Sequence, residues 1–138
     1  MSEIHPTAIV DPSAELGAGT VVGPYSFIGA KVVLGANCWV QHHVTLCGPL
    51  RAGARNKFFA YCSIGQQAQD LKYAGEPTYL EIGDENVFRE FVTVNRSTNA
   101  DGKTRLGHRG NFLAYSHIGH DCVVGDDVVF SNNGTLAG

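Results

Sequence analysis

The sequence predicts an all-β protein, a single-stranded parallel β-helix built from hexapeptide repeats, and three features of the residue pattern support this fold. Every sixth residue from Ile4 to Leu136 is apolar, except Asp70 and Glu76. The residue two places before this position is mostly small or β-branched, as at Ala8, Cys38 and Ser116. The residue that follows it is often glycine, as at Gly17, Gly23, Gly29, Gly35, Gly53, Gly65, Gly83, Gly107, Gly119 and Gly125. A register that holds over the whole chain indicates internal repeats.

A period of six residues has a direct structural interpretation. Alternate residues of a strand point to the same side. The apolar position of each hexad and the small or β-branched position two places before it therefore both face the interior. A turn follows each short strand, and we expect glycine to supply its backbone geometry. Three such units would close a coil of 18 residues, with successive coils stacked about 4.8 Å apart and Val22, Val40 and Phe58 in one column. An antiparallel sandwich, with strands roughly every 8–12 residues, does not match.

Two polar segments interrupt the hexads of what is otherwise one domain over residues 1–138. In the first, Asp70 and Glu76 occupy inward positions, where unpaired polar groups are costly to bury. We therefore expect the chain to leave the helix as a loop near 66–81, about one coil long, and to return at Ile82. A second polar stretch, 95–105, ends where the register resumes at Leu106. Loops that leave a rigid scaffold are frequent sites of function.

The composition excludes several classes of protein. The 138 residues carry a net charge of −3, so no nucleic-acid partner or membrane surface is indicated. The first residues show no basic segment followed by an apolar run, and no apolar stretch is long enough to span a bilayer, so we expect a cytoplasmic protein without a signal peptide. The basic residues around Arg51 and Arg105 are either solvated faces or a docking surface for an acidic carrier.

The four cysteines do not form a metal or redox motif. No C-x-x-C pair is present, which argues against a zinc ribbon. The positions of Cys38, Cys62 and Cys122 within the hexad predict that these three side chains lie in the interior as small hydrophobic groups.

Several segments resemble one family. The run from Gln69 to Thr78 (QDLKYAGEPT) is similar to a loop of bacterial UDP-N-acetylglucosamine acyltransferases, which catalyse the first step of lipid A biosynthesis. The segments 116–122 (SHIGHDC) and 132–138 (NNGTLAG) resemble that family's HIAHDC and NNATLAG segments. The likeness covers essentially the whole chain, and it implies a left-handed helix, a property that the period alone does not determine.

The resemblance also implies an activity. Members of the family move an (R)-3-hydroxyacyl group from acyl carrier protein to the glucosamine 3-position of UDP-N-acetylglucosamine. The expected mechanism is direct transfer without an acyl-enzyme intermediate, and no cofactor or metal is expected. The family further implies a homotrimer with active sites in clefts between neighbouring subunits. The sequence does not distinguish a 3-hydroxyl from a 3-amino acceptor.

His120 is the candidate general base. A sugar hydroxyl is a poor nucleophile, and histidine can remove its proton because its pKa lies near neutral pH. His120 matches the catalytic histidine of the family, whereas an isolated histidine at such a turn would be solvated. Asp121 is a weak candidate for orienting the imidazole, because neighbouring side chains on a strand diverge.

Five further residues match family positions that bind substrate or stabilise the transition state. His117 is expected to contact substrate, although a surface strand residue is equally plausible from sequence. In the first loop, Gln69 and Asp70 are candidates for hydrogen bonds to sugar hydroxyls. Lys72 is a candidate for phosphate or phosphopantetheine, or an ordinary solvated lysine. The backbone N–H of Gly138 is the candidate oxyanion donor.

The chain departs from the family in two respects. Asn95 stands where many members have histidine, which retains a hydrogen-bonding group but removes the ionisable one. The family continues beyond the position of Gly138 with further coils and a C-terminal helical region. A helix that ends there would leave an uncovered coil edge, so self-association or poor solubility is expected.

Two other functions remain open from sequence. The first is a zinc enzyme of the γ-carbonic-anhydrase type, with His117, His120 and His42 or His43 of the partner subunit as ligands. The second is a β-helix module without catalytic activity, which only assembles.

Overall fold

The computed structural model describes all residues from 1 to 138 and contains 20 short β-strands and no helix. The strands form three parallel sheets, which are the faces of a prism. The first face contains β1 (Glu3–Ile4), β4 (Val21–Val22), β7 (Trp39–Val40), β10 (Lys57–Phe58), β13 (Val87–Phe88), β16 (Asn111–Phe112) and β19 (Val129–Phe130). The second face contains β2 (Ile9–Val10), β5 (Phe27–Ile28), β8 (Thr45–Leu46), β11 (Ser63–Gln66), β14 (Thr93–Asn95), β17 (His117–Ile118) and β20 (Thr135–Leu136). The third face contains β3 (Glu15–Leu16), β6 (Val32–Leu34), β9 (Leu50–Ala52), β12 (Tyr79–Ile82), β15 (Lys103–Leu106) and β18 (Val123–Val124).

The strand pairing confirms the predicted columns. Val22 pairs with Val40, and Val40 pairs with Phe58, each in parallel register. Consecutive strands of the chain therefore lie on different faces, and each coil stacks on the next. No helix is present that has the length and apolar character needed to cross a bilayer.

The excursions change the spacing between stacked residues. Phe58 pairs with Phe88, 30 residues further on instead of 18, so the first loop adds 12 residues. Phe88 pairs with Phe112 after 24 residues, so the second loop adds six. The loops occupy 67–78 and 96–102, because the residues on either side join strands. The first excursion is therefore shorter than the full coil that the sequence suggested.

The interior is a continuous apolar core. Phe58, Phe88 and Phe112 are fully buried and stack with ring centroids 5.2 and 5.0 Å apart. Burial of one such side chain contributes about 1.5–3 kcal/mol to the free energy of folding. Cys38 and Cys62 are buried as predicted, and burial raises the pKa of the Cys62 thiol.

The glycines of the hexad have a different role from the one predicted. Fourteen non-glycine residues have positive φ in the turns, whereas of the ten glycines in the hexad position only Gly65 does. Seven of the other nine, all except Gly29 and Gly125, lie where neighbouring coils approach closely. A β-carbon at Gly35 would lie 2.6 Å from the carbonyl carbon of Gly53, and one at Gly119 would lie 2.6 Å from the carbonyl oxygen of Ala137. Space between coils therefore explains these glycines better than turn geometry.

One corner of the prism carries exposed aromatic rings. Tyr25, His43, Tyr61, Phe91 and Tyr115 occupy equivalent turns between the first and second faces, and we call this set the corner ladder. Their ring centroids are 5.0–5.4 Å apart along the stack. The ring faces cover one another, so the ladder presents mainly ring edges to solvent.

Candidate functional site

The first loop overhangs the second face and forms an open cleft with it. Ser63, Thr93, His117 and Thr135 are in register on successive strands of this face. Two adjoining clefts of about 530 and 460 Å³ share Gln69, Asp70 and Asn95. The second cleft is also lined by His117, Gly119, His120, Thr135 and Ala137. The structure thus brings four of the six predicted site residues, Gln69, Asp70, His117 and His120, into one cleft.

His120 and Asp121 form a hydrogen-bonded pair in the turn after β17. The distance from His120 Nδ1 to Asp121 Oδ2 is 2.8 Å. Asp121 has a φ of 64°, a left-handed conformation in which strand alternation no longer applies. Neighbouring side chains can therefore converge here, and the weak sequence argument for Asp121 underestimated this contact.

The second loop supplies hydrogen bonds to the Asp121 carboxylate. Its Oδ1 accepts a hydrogen bond from the Ser97 hydroxyl, and its Oδ2 accepts one from the Thr98 amide at 3.2 Å. The Asp121 amide donates to Thr104 Oγ1 at 2.9 Å. Burial raises the pKa of Asp121, but the hydrogen bonds from Ser97, His120 and Thr98 outweigh it, and the pKa is below its usual value.

The ionised carboxylate determines the tautomer of His120. A carboxylate accepts hydrogen bonds and cannot donate them, so Nδ1 of His120 must carry the proton. The lone pair is then on Nε2, which lies 3.8 Å from Asp70 Oδ2. This arrangement leaves one imidazole nitrogen available to accept a proton in the cleft.

The polar residues of the first loop differ in position: some line the clefts and one is exposed to solvent. Asp70 Oδ1 accepts a hydrogen bond from the Lys72 amide at 2.9 Å, which closes a tight turn. Asp70 and Gln69 line both clefts. Lys72 is exposed and does not line the clefts, and the neighbouring Leu71 is completely exposed.

Gly138 lies against the imidazole of His120. A β-carbon at Gly138, whose φ is 129°, would lie 2.7 Å from His120 Nε2. Burial raises the pKa of the Cys122 thiol, and the amides of Gly138 and Gly119 partly offset that rise. The α-carbon of Gly138 is thus beside the imidazole, and its amide is near the Cys122 sulfur. Cys122 is half-buried and packs against the core, which is less burial than predicted.

His117 is held by its neighbour on β14. Its Nδ1 is 2.7 Å from Thr93 Oγ1, and burial lowers the pKa of the imidazole. His117 is therefore neutral at pH 7. A neutral imidazole can donate or accept a hydrogen bond to a substrate without adding charge to the cleft.

Several residues of the site were not assigned a role from sequence, and Asn95 was noted only as a departure from the family. Asn95 is only 4 % exposed, and its Oδ1 has no hydrogen-bond partner although it lines both clefts. Buried acceptors without a partner are uncommon, so this oxygen is available to a ligand donor. Ser97, Thr98 and Thr104 were visible only as members of a polar stretch, because their contacts with Asp121 join residues from different coils.

The chain does not contain a preformed metal site. No group of three or more histidine, cysteine, aspartate or glutamate side chains is arranged to hold a metal ion. Thr93 engages Nδ1 of His117, and Asp121 engages Nδ1 of His120.

The basic groups on the third face and its corners are mostly paired. Lys103 and Arg105 contact Glu81, Arg55 contacts Glu85, and Arg109 contacts Asp127. These pairs are substantially exposed, and such pairs contribute little to stability. A solvated face is the simpler interpretation of these residues.

Comparison with known proteins identifies relatives over the whole chain. No family model matches it. It is 54 % identical over 139 residues to the acyl-[acyl-carrier-protein]–UDP-N-acetylglucosamine O-acyltransferase of Thiobacillus denitrificans, covering 100 % of this chain and 54 % of the relative. The enzyme of the same name from Saccharophagus degradans is 48 % identical over 134 residues, which cover 96 % of this chain and 52 % of the relative.

Solved structures give the same result. The UDP-N-acetylglucosamine O-acyltransferase of Moraxella catarrhalis matches with a TM-score of 0.94 at 46 % identity, over 98 % of this chain and 53 % of that chain. The enzyme from Campylobacter jejuni matches with a TM-score of 0.92 at 32 % identity, over 99 % of this chain and 53 % of that chain. The chain spans about half the length of the relatives it matches.

The fold and the cleft define this chain as a hexapeptide-repeat protein with a left-handed parallel β-helix, as predicted. The sequence comparison and the structure comparison identify enzymes of the same name. Over the half of their length that it spans, the chain is similar to UDP-N-acetylglucosamine O-acyltransferases.

Proposed function

We propose that this chain carries the catalytic histidine of an enzyme that transfers an (R)-3-hydroxyacyl group from acyl carrier protein to the glucosamine 3-position of UDP-N-acetylglucosamine, in lipid A biosynthesis. The observation that supports it most directly is the hydrogen bond between His120 Nδ1 and Asp121, because it leaves Nε2 free for substrate in a cleft lined by Asp70, Gln69 and His117. The names of the relatives supply the acyl donor and the sugar nucleotide.

The reaction follows from this geometry in two steps. Nε2 of His120 removes the proton of the acceptor hydroxyl as its oxygen attacks the thioester carbonyl, and Asp121 stabilises the resulting imidazolium. The tetrahedral intermediate then expels the carrier thiolate, which takes the proton from His120. The carbonyl oxygen acquires negative charge in between, and the Gly138 amide donates to it; such a donor is worth about 2.7–4 kcal/mol.

Direct transfer is the consistent route. An acyl-enzyme intermediate would need a nucleophile beside His120, and the nearest thiol is that of Cys122. Burial raises the pKa of this thiol, which disfavours the reactive thiolate. The acceptor oxygen therefore attacks the thioester itself.

The remaining residues of the cleft bind the sugar nucleotide in this proposal. Asp70 and Gln69 bind sugar hydroxyl groups from the loop side, and neutral His117 contacts the sugar from the sheet. Lys72 is exposed at the tip of the loop and approaches a phosphate or the phosphopantetheine arm from solvent.

We also propose a homotrimer that works in the cytoplasm. The family resemblance implies this assembly, with each cleft completed by a neighbouring subunit. The open cleft and the fully exposed Leu71 at the tip of the overhanging loop are consistent with a second chain at this position.

The decisive experiment is the substitution His120→Ala. Acyl transfer should be measured with this chain and with a chimera in which it replaces the matching part of the Thiobacillus denitrificans relative. We expect kcat to fall by about 10²–10⁴, the usual contribution of a general base, with the circular-dichroism spectrum unchanged.

The matched control is His42→Ala, an exposed histidine outside the cleft, which should retain turnover. Full activity of His120→Ala would contradict the proposed mechanism. Stoichiometric zinc together with loss of activity in His42→Ala would favour the zinc enzyme, and a folded wild-type chimera without turnover would favour the non-catalytic module.

A further inference from the structure

Ser97 lies beneath the catalytic pair, on the second loop. Its side chain is fully buried, and its hydroxyl donates to Asp121 Oδ1, 24 residues further along the chain. This separation equals the spacing between β14 and β17, which includes the six residues that the second loop adds. The loop therefore places Ser97 one coil away from Asp121, directly beside its carboxylate.

The Ser97 hydroxyl has only one strong hydrogen-bond acceptor within reach, the Asp121 carboxylate. Its oxygen accepts a hydrogen bond from the Asn99 amide at 3.2 Å, while the Asn99 carbonyl lies at 3.5 Å and is the weaker alternative acceptor. The Ser97 hydroxyl therefore donates its hydrogen bond to the Asp121 carboxylate, which is closer and charged. A β-carbon at Gly102 would collide with Ser97 Oγ, so glycine at this position leaves room for the serine.

The hydrogen bonds form a directed series that ends at the reacting nitrogen. The Asn99 amide donates to Ser97, Ser97 donates to Asp121, and Asp121 accepts from Nδ1 of His120. The Thr98 amide also donates to Asp121, but to Oδ2, the same oxygen that accepts from His120. Ser97 is thus the one side chain that holds Oδ1.

We infer that Ser97 is a positioning residue, which fixes the Asp121 carboxylate so that His120 keeps its proton on Nδ1 and its lone pair on Nε2. This inference rests on the proposed function for its effect on rate, but its effect on the His120 tautomer does not depend on the reaction. The second loop is then part of the catalytic apparatus even though none of its residues lines the second cleft.

The loss of the hydroxyl has a defined consequence. In Ser97→Ala, Oδ1 of Asp121 has no donor, and only the 3.2 Å hydrogen bond from the Thr98 amide to Oδ2 opposes rotation of the carboxylate away from the imidazole. The Nδ1–H tautomer then loses the contact that favours it over the Nε2–H form. Molecules in the Nε2–H form cannot remove the proton of the substrate hydroxyl, because Nε2 already carries a hydrogen.

Two measurements test this on folded protein. Histidine labelled with ¹⁵N reports the tautomer of His120 in this chain, and we expect the Nε2–H form to appear in Ser97→Ala. In the chimera, kcat should fall roughly 10- to 100-fold, the worth of a hydrogen bond to a charged group, while KM for both substrates stays within about twofold.

A matched control separates positioning from stability. Ser26 is also buried, and its hydroxyl donates to the Gln41 carbonyl at 2.6 Å and accepts from the Val44 amide, far from the cleft. Ser26→Ala should lower thermal stability without changing the tautomer or kcat of the folded fraction. Ser97→Cys keeps a weak donor of similar size and should give a kcat between those of serine and alanine.

An unchanged tautomer and kcat in Ser97→Ala would overturn the inference, as would a loss of activity that follows only the folded fraction. If Ser97→Ala does not fold, wild-type kcat and tautomer in Ser97→Cys would overturn it. If the wild-type chimera shows no acyl transfer, the proposed function fails, and the tautomer measurement still decides the role of Ser97.

Discussion

At the residue scale, the turn after β17 makes a contact between neighbours that an extended strand does not permit. The positive φ of Asp121 turns its carboxylate back to Nδ1 of His120. A non-glycine residue in this conformation is uncommon outside turns, although aspartate tolerates it better than most. In this fold the same conformation recurs in the equivalent turn of almost every hexad, so the scaffold provides it wherever a functional pair requires it.

The substitution Asp121→Asn tests the charge of the carboxylate directly. The Thr98 amide donates to the same oxygen as His120, so the asparagine carbonyl would keep this position and only the negative charge would be lost. We expect kcat to fall by at least about a hundredfold, because a neutral amide does not stabilise the imidazolium that forms when Nε2 takes the substrate proton. Steady-state kinetics of the chimera measure this effect.

Asp127→Asn is the matched control, because Asp127 occupies the same turn position one hexad later and pairs with Arg109 in solvent. It should retain wild-type kcat. Equal losses in both variants would show that the turn, rather than the charge beside His120, accounts for the effect.

The site was predictable from sequence only in part. His117, His120, Gln69 and Asp70 stand in segments distinctive enough to be recognised, and the structure brings them together. Ser97 and Thr98 were not recognisable, because their partner is in another coil and no local pattern encodes a contact across coils. The position of Asp121 depends on one backbone angle, to which the alternation rule does not apply.

At the element scale, neighbouring coils approach so closely at the position after the apolar residue of many hexads that a side chain does not fit. Gly17, Gly35 and Gly119 each lie against the backbone of the next coil. The periodicity predicted that a short strand ends just before each of these glycines. It did not reveal their reason, because the distance between coils becomes visible only when the coils are stacked.

The substitution Gly35→Ala tests this explanation. A β-carbon there would lie 2.6 Å from backbone of the next coil, so the coils must separate. We expect a loss of about 1–3 kcal/mol in the free energy of unfolding, the usual cost of overpacking, measured by chemical denaturation.

Gly125→Ala is the control, since it occupies the same place in the hexad but a β-carbon there meets no atom within 4 Å. Its stability should equal that of the wild type or exceed it slightly. Equal destabilisation of both variants would favour a conformational role for these glycines.

At the scale of the whole molecule, the three sheets end in strands that are paired on one side only. β1, β2 and β3 form one end of the stack, and β18, β19 and β20 form the other. Apolar side chains near these ends are less buried than those of the central coils, as the exposed fractions of Ile4 and Leu136, 45 % and 38 %, show against that of Ile28, which is zero. The columns that stabilise the centre therefore lack a partner at the ends.

We expect a polypeptide of residues 1–138 prepared by itself to self-associate, because unpaired strand edges and uncovered apolar side chains favour contact with another copy. Size-exclusion chromatography with light scattering over a range of concentrations distinguishes two modes. A closed trimer gives a mass that stops rising at three chains, whereas stacking end to end gives a mass that continues to rise. A monomer at all concentrations would contradict the prediction.

The corner ladder gives this prism an intrinsic optical signal. Tyr61, Phe91 and Tyr115 belong to three successive coils and stack with ring centroids 5.4 and 5.0 Å apart, so their near-ultraviolet transitions couple in a fixed chiral arrangement. Near-ultraviolet circular dichroism from aromatic groups persists only while side chains are rigidly packed. Tyr115 is two residues from His117, so the order of the coils beside the cleft can be followed by light absorption alone, without a label or a substrate.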